Sequence, residues 1–356
     1  MTDGGVDVLL VSVGPELPWL TGYEAMPLER LTMLVVPRDG DATLVVPRLE
    51  AARVRERPEV FSVRAYDETT DPVALVAALA GPASTAAIGD RTWARFLIDL
   101  QAAMPSTRWS RTAAITGPLR AVKDQVELVA LRAAGAAADR VAGALQAGDI
   151  PLIGRTEAEV SAELGRRLLS EGHQRVNFAI VAAGANAASP HHEPGETVIA
   201  RGDVVLCDFG GTMLDAEGVG YCSDITRCVT LGAPSAEIAE AYEVLRRAQA
   251  AAVASATVGA TCEGVDAAAR RVIAEAGWGD RFIHRTGHGI GVEEHEDPYI
   301  VAGNEDVLVP GNAFSIEPGI YVDGAWGMRL EDIVVATAAG PDPLNSADHA
   351  LVEIEA

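Results

Sequence analysis

The segments GDVVLCDFG (residues 202–210) and GNAFSIEPG (residues 311–319) share one spacing pattern. In each segment an acidic residue stands six positions after the first glycine, and another glycine follows two positions later. The acidic residues are Asp208 and Glu317. Apolar runs bounded by glycine are typical of short β-strands, so each segment predicts a strand that carries an acid.

A second shared spacing lies downstream of each segment. GYCSD (residues 220–224) and GMRLE (residues 327–331) each place an acid four positions after a glycine. These acids are Asp224 and Glu331. The chain therefore carries a weak internal duplication, which predicts two pairs of strands with an acid on every strand.

The strand period gives this duplication a chemical meaning. Side chains two positions apart point to the same face of a strand, so Asp208 shares a face with Leu206 and Val204. An acid that points where apolar residues point is costly unless it is paired or binds a metal ion. We expect no matching cluster of inward Lys or Arg, so the acids predict divalent cations between them.

The segment HRTGHGIGVEEHEDP (residues 284–298) holds three of the seven histidines on a backbone broken by glycines. Histidine ligates metals and moves protons near neutral pH, and glycine allows close approach of the backbone. Carboxylates joined by an imidazole form an oxygen-dominated set that suits Mn²⁺, Co²⁺, Fe²⁺ or Zn²⁺. The four cysteines form no CxxC pair, which disfavours a structural zinc site and favours buried thiols in a reducing compartment.

Composition excludes several classes of partner. The net charge of −23 repels phosphate backbones and argues against nucleic-acid binding. Lys123 is the single lysine, so no lysine-rich membrane patch is present. The N-terminal apolar run has the length of a strand and lacks a basic flank, which predicts a cytoplasmic protein without a membrane span.

The length of 356 residues and the element pattern predict two domains. Residues 1–120 alternate β-branched runs with helical runs, which indicates an α/β domain. Residues 121–356 predict an α+β domain, with helices covering a mostly antiparallel sheet. Its first helix is expected to pack through Val126, Val129, Ala133 and Ala137, and a later helix opens with a capping box of Thr156 and Glu159.

Five segments together resemble the metal-binding segments of the M24 metallopeptidases. They are VVLCDFG, GYCSDITR, HRTGHGIGVEEHEDP, SIEPGIYV and MRLEDIVVAT. This is the "pita-bread" fold group of Xaa-Pro aminopeptidases, prolidases and methionine aminopeptidases. PWLTGY and LVVPRLE resemble the creatinase-type N-terminal domain of the proline-specific members. The resemblance therefore implies a creatinase-type domain over 1–120 and a pita-bread metallopeptidase domain over 121–356.

The resemblance implies a dinuclear metal site with manganese as the favoured ion. Its ligands would be Asp208, Asp224, His288, Glu317 and Glu331. Asp224 and Glu331 would bridge both ions.

The remaining histidines divide by motif. His295 matches the family's second active-site histidine, and His191 in SPHHEP matches a third, with His192 as an alternative. His284 matches a common position with a supporting role. His173 and His349 match no motif and are expected to be ordinary surface residues.

Other residues are expected to support the site or bind substrate. Thr226 shares a strand face with Asp224, which predicts a supporting hydrogen bond. Arg329 shares a face with Glu331, so it could hold that carboxylate or a substrate carboxylate. Tyr299 stands where several dipeptidases carry an arginine that reads the carboxylate of the product, which favours longer substrates. The stretch between Asp208 and Asp224 is about five residues longer than the family's usual hairpin, a change that loops tolerate.

The resemblance implies an exopeptidase that cleaves before proline in the second position. The favoured activity is Xaa-Pro dipeptidase, with Glu317 as general base and His191 and His295 as hydrogen-bond donors. The alternative is an Xaa-Pro aminopeptidase (aminopeptidase P) that acts on longer peptides. More distant alternatives are a creatinase-like hydrolase and a non-catalytic binding module. The family also implies a homodimer.

Overall fold

The computed structural model describes residues 1–2 and 4–354, and these divide into two compact units. One unit comprises Met1–Arg120 and Asp215–Gly220. The other comprises Ala121–Leu214 and the described residues from Tyr221 onward.

The first unit is built on a mixed sheet in the order β4-β3-β2-β1-β5-β6. Its strands are β1 (Val8–Val11), β2 (Met33–Pro37), β3 (Ala42–Pro47), β4 (Phe61–Tyr66), β5 (Thr85–Ile88) and β6 (Arg108–Arg111). Its helices are α1 (Glu16–Thr21), α2 (Arg48–Ala51), α3 (Pro72–Ala80), α4 (Ala94–Ala103) and α5 (Ala113–Ala121). Strand β1 runs parallel to β5 and antiparallel to β2, and apolar clusters cover both faces of the sheet. The predicted α/β domain is confirmed.

Helices of the second unit begin at polar N-caps. They are α6 (Gln125–Gln146), α7 (Glu157–Ser170), α8 (Ala236–Ser255) and α9 (Cys262–Glu275), with short 3-10 helices at Gly184–Ala188 and Gly279–Arg281. The side chain of Thr156 accepts a hydrogen bond from the backbone N–H of Glu159, whose carboxylate accepts from the Thr156 N–H. The predicted capping box is confirmed.

Helix α6 buries a different face from the predicted one. Val126 and Val129 are 61% and 68% exposed, whereas Leu131 and Val141 are buried. Of the predicted face, Ala137 is buried. Because alanine recurs throughout this helix, apolar spacings occur on more than one face, and the bulky residues mark the face that packs.

The strands of the second unit form two larger sheets and a hairpin within the described residues. They are β7 (Arg175–Ala183), β8 (Val204–Leu214), β9 (Gly220–Cys222), β10 (Ile225–Leu231), β11 (Gly287–Gly289), β12 (Glu296–Ile300), β13 (Ala313–Ile316), β14 (Gly319–Val322), β15 (Trp326–Arg329), β16 (Asp332–Thr337), β17 (Gly340–Pro343) and β18 (Val352–Ile354). One sheet has the order β18-β10-β8-β7 with β9 beside β8, and the other has the order β12-β11-β13-β16-β17. Strands β14 and β15 form the hairpin. Strand β18 is parallel to β10, and the pairs of β8 with β7 and β10, of β11 with β12 and β13, and of β16 with β13 and β17 are antiparallel. This pattern confirms the predicted α+β arrangement.

Strand β8 is buried on both faces. Cys207 and Phe209 point to an apolar cluster that includes residues of α6 and α7. Val204 and Leu206 point to another cluster, which includes residues of α8 and α9. Asp208 alternates with Cys207 and Phe209, so the strand carries a carboxylate into the interior, as the period of two predicts.

The long hairpin between Asp208 and Asp224 turns outside the second unit. Its turn, Asp215–Gly220, groups with the first unit, where the Glu217 carboxylate accepts a hydrogen bond from Arg57 at 2.6 Å. In the described part of the chain, we find no helix with the length and apolar character needed to cross a membrane.

Candidate metal centre

The first pair of acids lies on the β8 and β10 side of the site. Asp208 is within β8, and its register partner on β10 is Thr226. Asp224 directly precedes β10 and is buried. Two carboxylates are therefore buried side by side here, one from β8 and one from the residue that precedes β10.

The second pair of acids lies at strand ends. Glu317 follows β13, and its backbone N–H donates to the Thr286 carbonyl at 2.8 Å. Glu331 precedes β16, and its backbone N–H donates to the Thr226 carbonyl at 3.3 Å. The prediction of an acid on every strand is wrong, because only Asp208 of these four residues lies within a strand. Pro318 cannot donate to a sheet ladder, so the chain leaves β13 at this position.

His288 reaches the acids from the glycine-rich strand β11. A Cβ atom on Gly287 would lie 1.8 Å from the Ser315 carbonyl oxygen, so the close approach of the backbones requires glycine. Nδ1 of His288 lies 3.2 Å from the Gly289 carbonyl and donates to it. The ring therefore presents the lone pair of Nε2 to the opposite side, where Glu317 lies at 3.2 Å.

Three of the predicted ligands converge most closely. Asp224, His288 and Glu331 are buried, and each offers one ligand atom within 4.8 Å of the other two. Nε2 of His288 lies 3.8 Å from Oδ2 of Asp224. A lone pair that faces carboxylate oxygens is repulsive unless a cation lies between them, so this geometry suits a metal ion.

Unpartnered oxygens provide an independent test of this fit. Within the described residues, Oδ1 of Asp208 and Oδ1 of Asp224 are buried and accept no hydrogen bond. Buried carboxylate oxygens normally have donors, and an unsatisfied one is costly. A divalent ion is the hard cation that such oxygens prefer, so the residues present fit a metal site.

The charges of these acids are strongly coupled. Burial raises the pKa of Asp224 well above its usual range, and the charges of Glu331 and Asp208 raise it further. Burial also raises the pKa of Glu331 well above its usual range, with the charges of Glu317 and Asp208 next. Both shifts express the cost of holding several carboxylates together without cations.

Glu317 behaves differently. Burial by itself raises the pKa of Glu317, but the hydrogen bond and charge of His288 and the charges of His284 and Arg329 outweigh it and lower the pKa to about 2. A histidine that ligates a metal ion is neutral, so the charge of His288 can lower the pKa of Glu317 only in the metal-free protein.

Arg329 corrects the expectation that no cation lies among the acids. It is 2% exposed, and its Nη2 donates to Oδ2 of Asp208 at 2.5 Å. Nε donates to Thr226 Oγ1 at 3.1 Å, and Nη1 donates to Tyr321 Oη at 2.8 Å. The closest carboxylate of this guanidinium is Asp208, and its Nε also lies 3.8 Å from Oε2 of Glu317. A single positive charge cannot match all four carboxylates.

Thr226 links this arginine to the second pair of acids. Its hydroxyl accepts from Arg329 and donates to Oε2 of Glu331 at 2.7 Å. The hydroxyl thereby orients the Glu331 carboxylate, a role that the shared strand face of Thr226 predicted.

His284 lies one contact further from the acids. Its Nδ1 donates to the Arg285 carbonyl at 2.7 Å, and its Nε2 accepts from the Tyr321 hydroxyl at 2.9 Å. Burial lowers the pKa of His284 to about 4, so the ring is neutral and helps to hold Tyr321.

His295 lies at the exposed edge of the site. Its ring centre is 3.9 Å from that of His288, and its Nδ1 lies 3.3 Å from Nη2 of Arg285. Desolvation, followed by the charges of His288 and Arg285, lowers the pKa of His295 to about 4. Because Nδ1 accepts from a guanidinium, Nε2 carries the proton and can donate. Tyr299 lies beside this group, beneath the Arg285 guanidinium.

The structure separates the two histidines of SPHHEP. Nε2 of His192 lies 2.8 Å from the buried Glu157 carboxylate. His191 is exposed, and its charge contributes to the lowered pKa of His295. His191 is thus close enough to His295 to affect it electrostatically, while His192 contacts Glu157.

Sequence reasoning assigned no role to Lys123 and Tyr321. The Lys123 ammonium donates to the Glu296 carboxylate at 2.6 Å, and both side chains are buried beside His295. The rarity of lysine in this chain was the available signal. Tyr321 lies in SIEPGIYV, where nothing in the spacing distinguishes it from a core aromatic residue.

The expectation that His173 is a surface residue is wrong. His173 is 3% exposed, and its ring contacts the Leu168 carbonyl at 3.1 Å and Ser223 Oγ at 2.8 Å. These two partners satisfy both ring nitrogens, which makes burial tolerable. His349 is partly exposed and contacts Asp332 at 2.6 Å.

Comparison with known proteins defines the class to which this fold and site belong. Residues 129–338 match the model of metallopeptidase family M24, and residues 1–122 match the creatinase/prolidase N-terminal domain. The chain belongs to metallopeptidase family M24 and is a metal-dependent peptidase with the pita-bread fold.

The similar proteins extend over almost the whole chain. It is 44% identical over 356 residues to "Probable dipeptidase PepE" of Mycobacterium tuberculosis strain H37Rv, covering 99% of this chain and 93% of that one. It is 36% identical over 352 residues to the Xaa-Pro dipeptidase of Lactobacillus helveticus, covering 96% and 93%. The crystal structure of dipeptidase PepE from Mycobacterium ulcerans matches with a TM-score of 0.91 at 43% identity, covering 100% and 95%.

Proposed function

We propose that the protein is a dinuclear-metal Xaa-Pro dipeptidase. The observation that carries this proposal is the buried convergence of Asp224, His288 and Glu331 beside unpartnered carboxylate oxygens. Relatives named dipeptidase and Xaa-Pro dipeptidase, aligned over almost their full length, support the substrate class.

The proposed ligand set joins both copies of the duplication. The residues that would hold the ions are Asp208, Asp224, His288, Glu317 and Glu331. Four carboxylates and one imidazole form an oxygen-dominated set, which favours Mn²⁺ as the bound ion. Co²⁺, Fe²⁺ and Zn²⁺ also suit these donors. We place the catalytic domain at residues 121–356 and the creatinase-type domain at 1–120.

When bound, divalent ions supply Lewis acidity that polarises a carbonyl and makes water a stronger nucleophile near neutral pH. Glu317 lies 3.2 Å from Nε2 of His288 and accepts the proton that the attacking water loses. The N–H at Nε2 of His295 donates to the oxygen on which charge develops. His191 provides a further donor at the exposed side. Arg329 and Thr226 hold Asp208 and Glu331 in place.

The alternative activity is an Xaa-Pro aminopeptidase that acts on longer peptides. Tyr299 favours this alternative, because no guanidinium at that position is available to a product carboxylate. The two activities differ in whether the residue after proline is tolerated.

We also propose a location and an assembly. All four cysteines are free and buried, which suits a reducing compartment and supports a cytoplasmic protein. The homodimer rests on the family resemblance alone.

The test uses the Mn²⁺-loaded enzyme with an Ala-Pro dipeptide and an Ala-Pro-Ala tripeptide. Release of free alanine with a higher kcat/KM from the dipeptide is the expected result, and a higher value for the tripeptide identifies the aminopeptidase instead. Asp224→Asn serves as the control, with loss of one bound metal and of turnover while the circular dichroism spectrum is kept. If neither peptide is cut while two metals are bound, the substrate class is wrong.

A further inference from the structure

Arg285 lies beside the candidate metal centre without an acidic partner. The residue is half-buried, and its guanidinium carbon lies 4.6 Å from the centre of the Tyr299 ring. Its Nη2 lies 3.3 Å from Nδ1 of His295. Among the described residues, no Asp or Glu forms an ion pair with it. A partly desolvated guanidinium without a counter-ion is a ready site for an anion.

The other buried cations near the site already have carboxylate partners. Arg329 donates to Asp208 at 2.5 Å and distributes its remaining N–H groups to protein oxygens. Lys123 donates to Glu296 at 2.6 Å. A substrate anion could bind either of these cations only by displacing a buried ion pair, and removing a partner from such a pair is strongly unfavourable. Arg285 has no such partner to lose.

Arg285 is connected to the candidate metal centre through His295. The ring of His295 separates it from His288, and the ring centres of these two histidines are 3.9 Å apart. In a dipeptide, the terminal carboxylate belongs to the residue after the cleaved bond, within about 4 Å of the cleaved carbonyl carbon. Because His295 contacts both His288 and Arg285, a carboxylate bound by Arg285 would stay close to the candidate metal centre.

Tyr299 limits the freedom of the guanidinium, which lies over its ring. A guanidinium stacked on an aromatic ring keeps its N–H groups at the edge of the stack, in the plane that a carboxylate approaches. Since the stack exists before substrate binds, less conformational freedom is lost on binding.

We propose that Arg285, stacked on Tyr299, binds the C-terminal carboxylate of a dipeptide substrate and makes the enzyme selective for dipeptides. This inference rests on the proposed function and specifies how its substrate is recognised. A longer peptide carries a neutral amide at the same place and forgoes the charge-assisted contact. Tyr299 is then part of the carboxylate site through its stack with Arg285.

The experiment compares Ala-Pro with its C-terminal amide, which keeps the cleaved bond and lacks the carboxylate. The readout is the ratio of kcat/KM for the dipeptide to that for the amide, with KM and kcat resolved. Loss of one charge-assisted hydrogen-bond pair in Arg285→Gln is expected to lower this ratio roughly 10- to 100-fold, mainly through KM. Arg285→Lys keeps the charge but loses the paired N–H donors of the guanidinium and its contact with the Tyr299 ring, so it is expected to give an intermediate ratio.

Arg281→Gln is the matched control, since this exposed arginine lies four positions upstream and its side chain contacts no acid among the described residues. It is expected to keep the wild-type ratio. Equal losses for dipeptide and amide in Arg285→Gln would overturn the inference, since the residue would then act through His295 or through folding. An Arg285→Lys ratio equal to wild type would also overturn it.

The outcomes separate this inference from the proposed function. If the wild-type enzyme cuts dipeptide and amide equally well, the carboxylate is not recognised and the inference fails while the proposed function stands. If the wild-type enzyme cuts neither, the proposed function fails and the inference fails with it.

Discussion

Glu331 and Asp332 are neighbours in the chain and are equally buried, at 1% exposure each, yet their surroundings differ. Burial raises the pKa of Glu331 well above its usual range, and nearby carboxylates raise it further. Burial also opposes ionisation of Asp332, but contacts with His349 and Arg227 outweigh it and lower the pKa of Asp332. Two adjacent acids, one directly before β16 and the other at its first residue, therefore shift in opposite directions.

The difference lies in the donors that each carboxylate receives. Oδ1 of Asp332 accepts from Arg227 at 2.7 Å. Oδ2 accepts from Gln249 at 3.0 Å and lies 2.6 Å from Nε2 of His349. Glu331 accepts from Thr226 at 2.7 Å. A buried carboxylate with several donors stabilises the fold, whereas one with few donors beside other carboxylates provides a ligand.

Arg227 connects the two sides. Its Nη1 donates to the backbone carbonyl of Glu331 at 2.6 Å, while its Nη2 donates to the Asp332 carboxylate. The structural network thereby fixes the backbone from which Glu331 reaches the metal centre. Pre-organisation of a ligand by such supporting contacts is a general feature of metal sites.

The largest expected effect comes from Glu331→Gln. The amide keeps the shape of the side chain and removes the charge of the proposed metal ligand, so we expect kcat/KM to fall by about 10³-fold or more, beyond the 10- to 100-fold typical of supporting residues. Elemental analysis measures the bound metal, and the variant is expected to hold fewer ions than the two expected for the wild type. Without metal, the variant is expected to be at least as stable as the wild type. Near-wild-type turnover at saturating Mn²⁺ would contradict the ligand assignment.

Asp332→Asn tests the other side of the comparison. The amide leaves the fully buried Arg227 without a matching charge, and breaking such a pair costs about 3–5 kcal/mol of unfolding free energy. The measurement is the shift of the urea midpoint in metal-free protein. Asp342→Asn is the control, because its ion pair with Arg132 is exposed on both sides and contributes at most about 1 kcal/mol. A loss for Asp332→Asn no larger than that of the control would refute the structural role of this network.

The sequence predicts the acids of the site because their spacing is duplicated and because strands alternate faces. It does not predict how donors are shared among them. Arg329 was expected to hold the carboxylate of Glu331 or of a substrate, whereas its guanidinium donates to Asp208 across the site. The orientation of a long side chain depends on the tertiary neighbours that satisfy its N–H groups, and these are not visible in local spacing.

Two other errors have a similar origin. His173 was expected on the surface, but a main-chain carbonyl and Ser223 satisfy both of its nitrogens in the interior. Val126 and Val129 were expected in the core, but helix α6 packs through other residues. A period identifies a possible face, and the surrounding elements decide which face is covered.

The smallest expected effect is a dependence of metal-free stability on pH. Because the folded protein raises the pKa of Glu331 and of Asp224, it retains protons that the unfolded chain has released above its pKa of about 4. Raising the pH above about 4 therefore destabilises the folded state until the pH exceeds the raised pKa values of these two carboxyls in the folded protein. His284 and His295, whose pKa values are lowered to about 4, act in the opposite direction below about pH 6.5.

The difference between wild type and Glu331→Gln removes the contribution of these histidines, because both proteins contain them. Between about pH 5 and pH 8 without metal, the variant should gain stability relative to wild type by about 1.4 kcal/mol for each unit by which the pKa of Glu331 is raised. Urea unfolding at several pH values measures this difference. Saturating Mn²⁺ should reverse its sign, since the metal binds the deprotonated carboxylate and stabilises the wild type. A difference that stays constant with pH would show that Glu331 is ionised at the same pH in both states, and the contrast with Asp332 would then lie in packing rather than in charge.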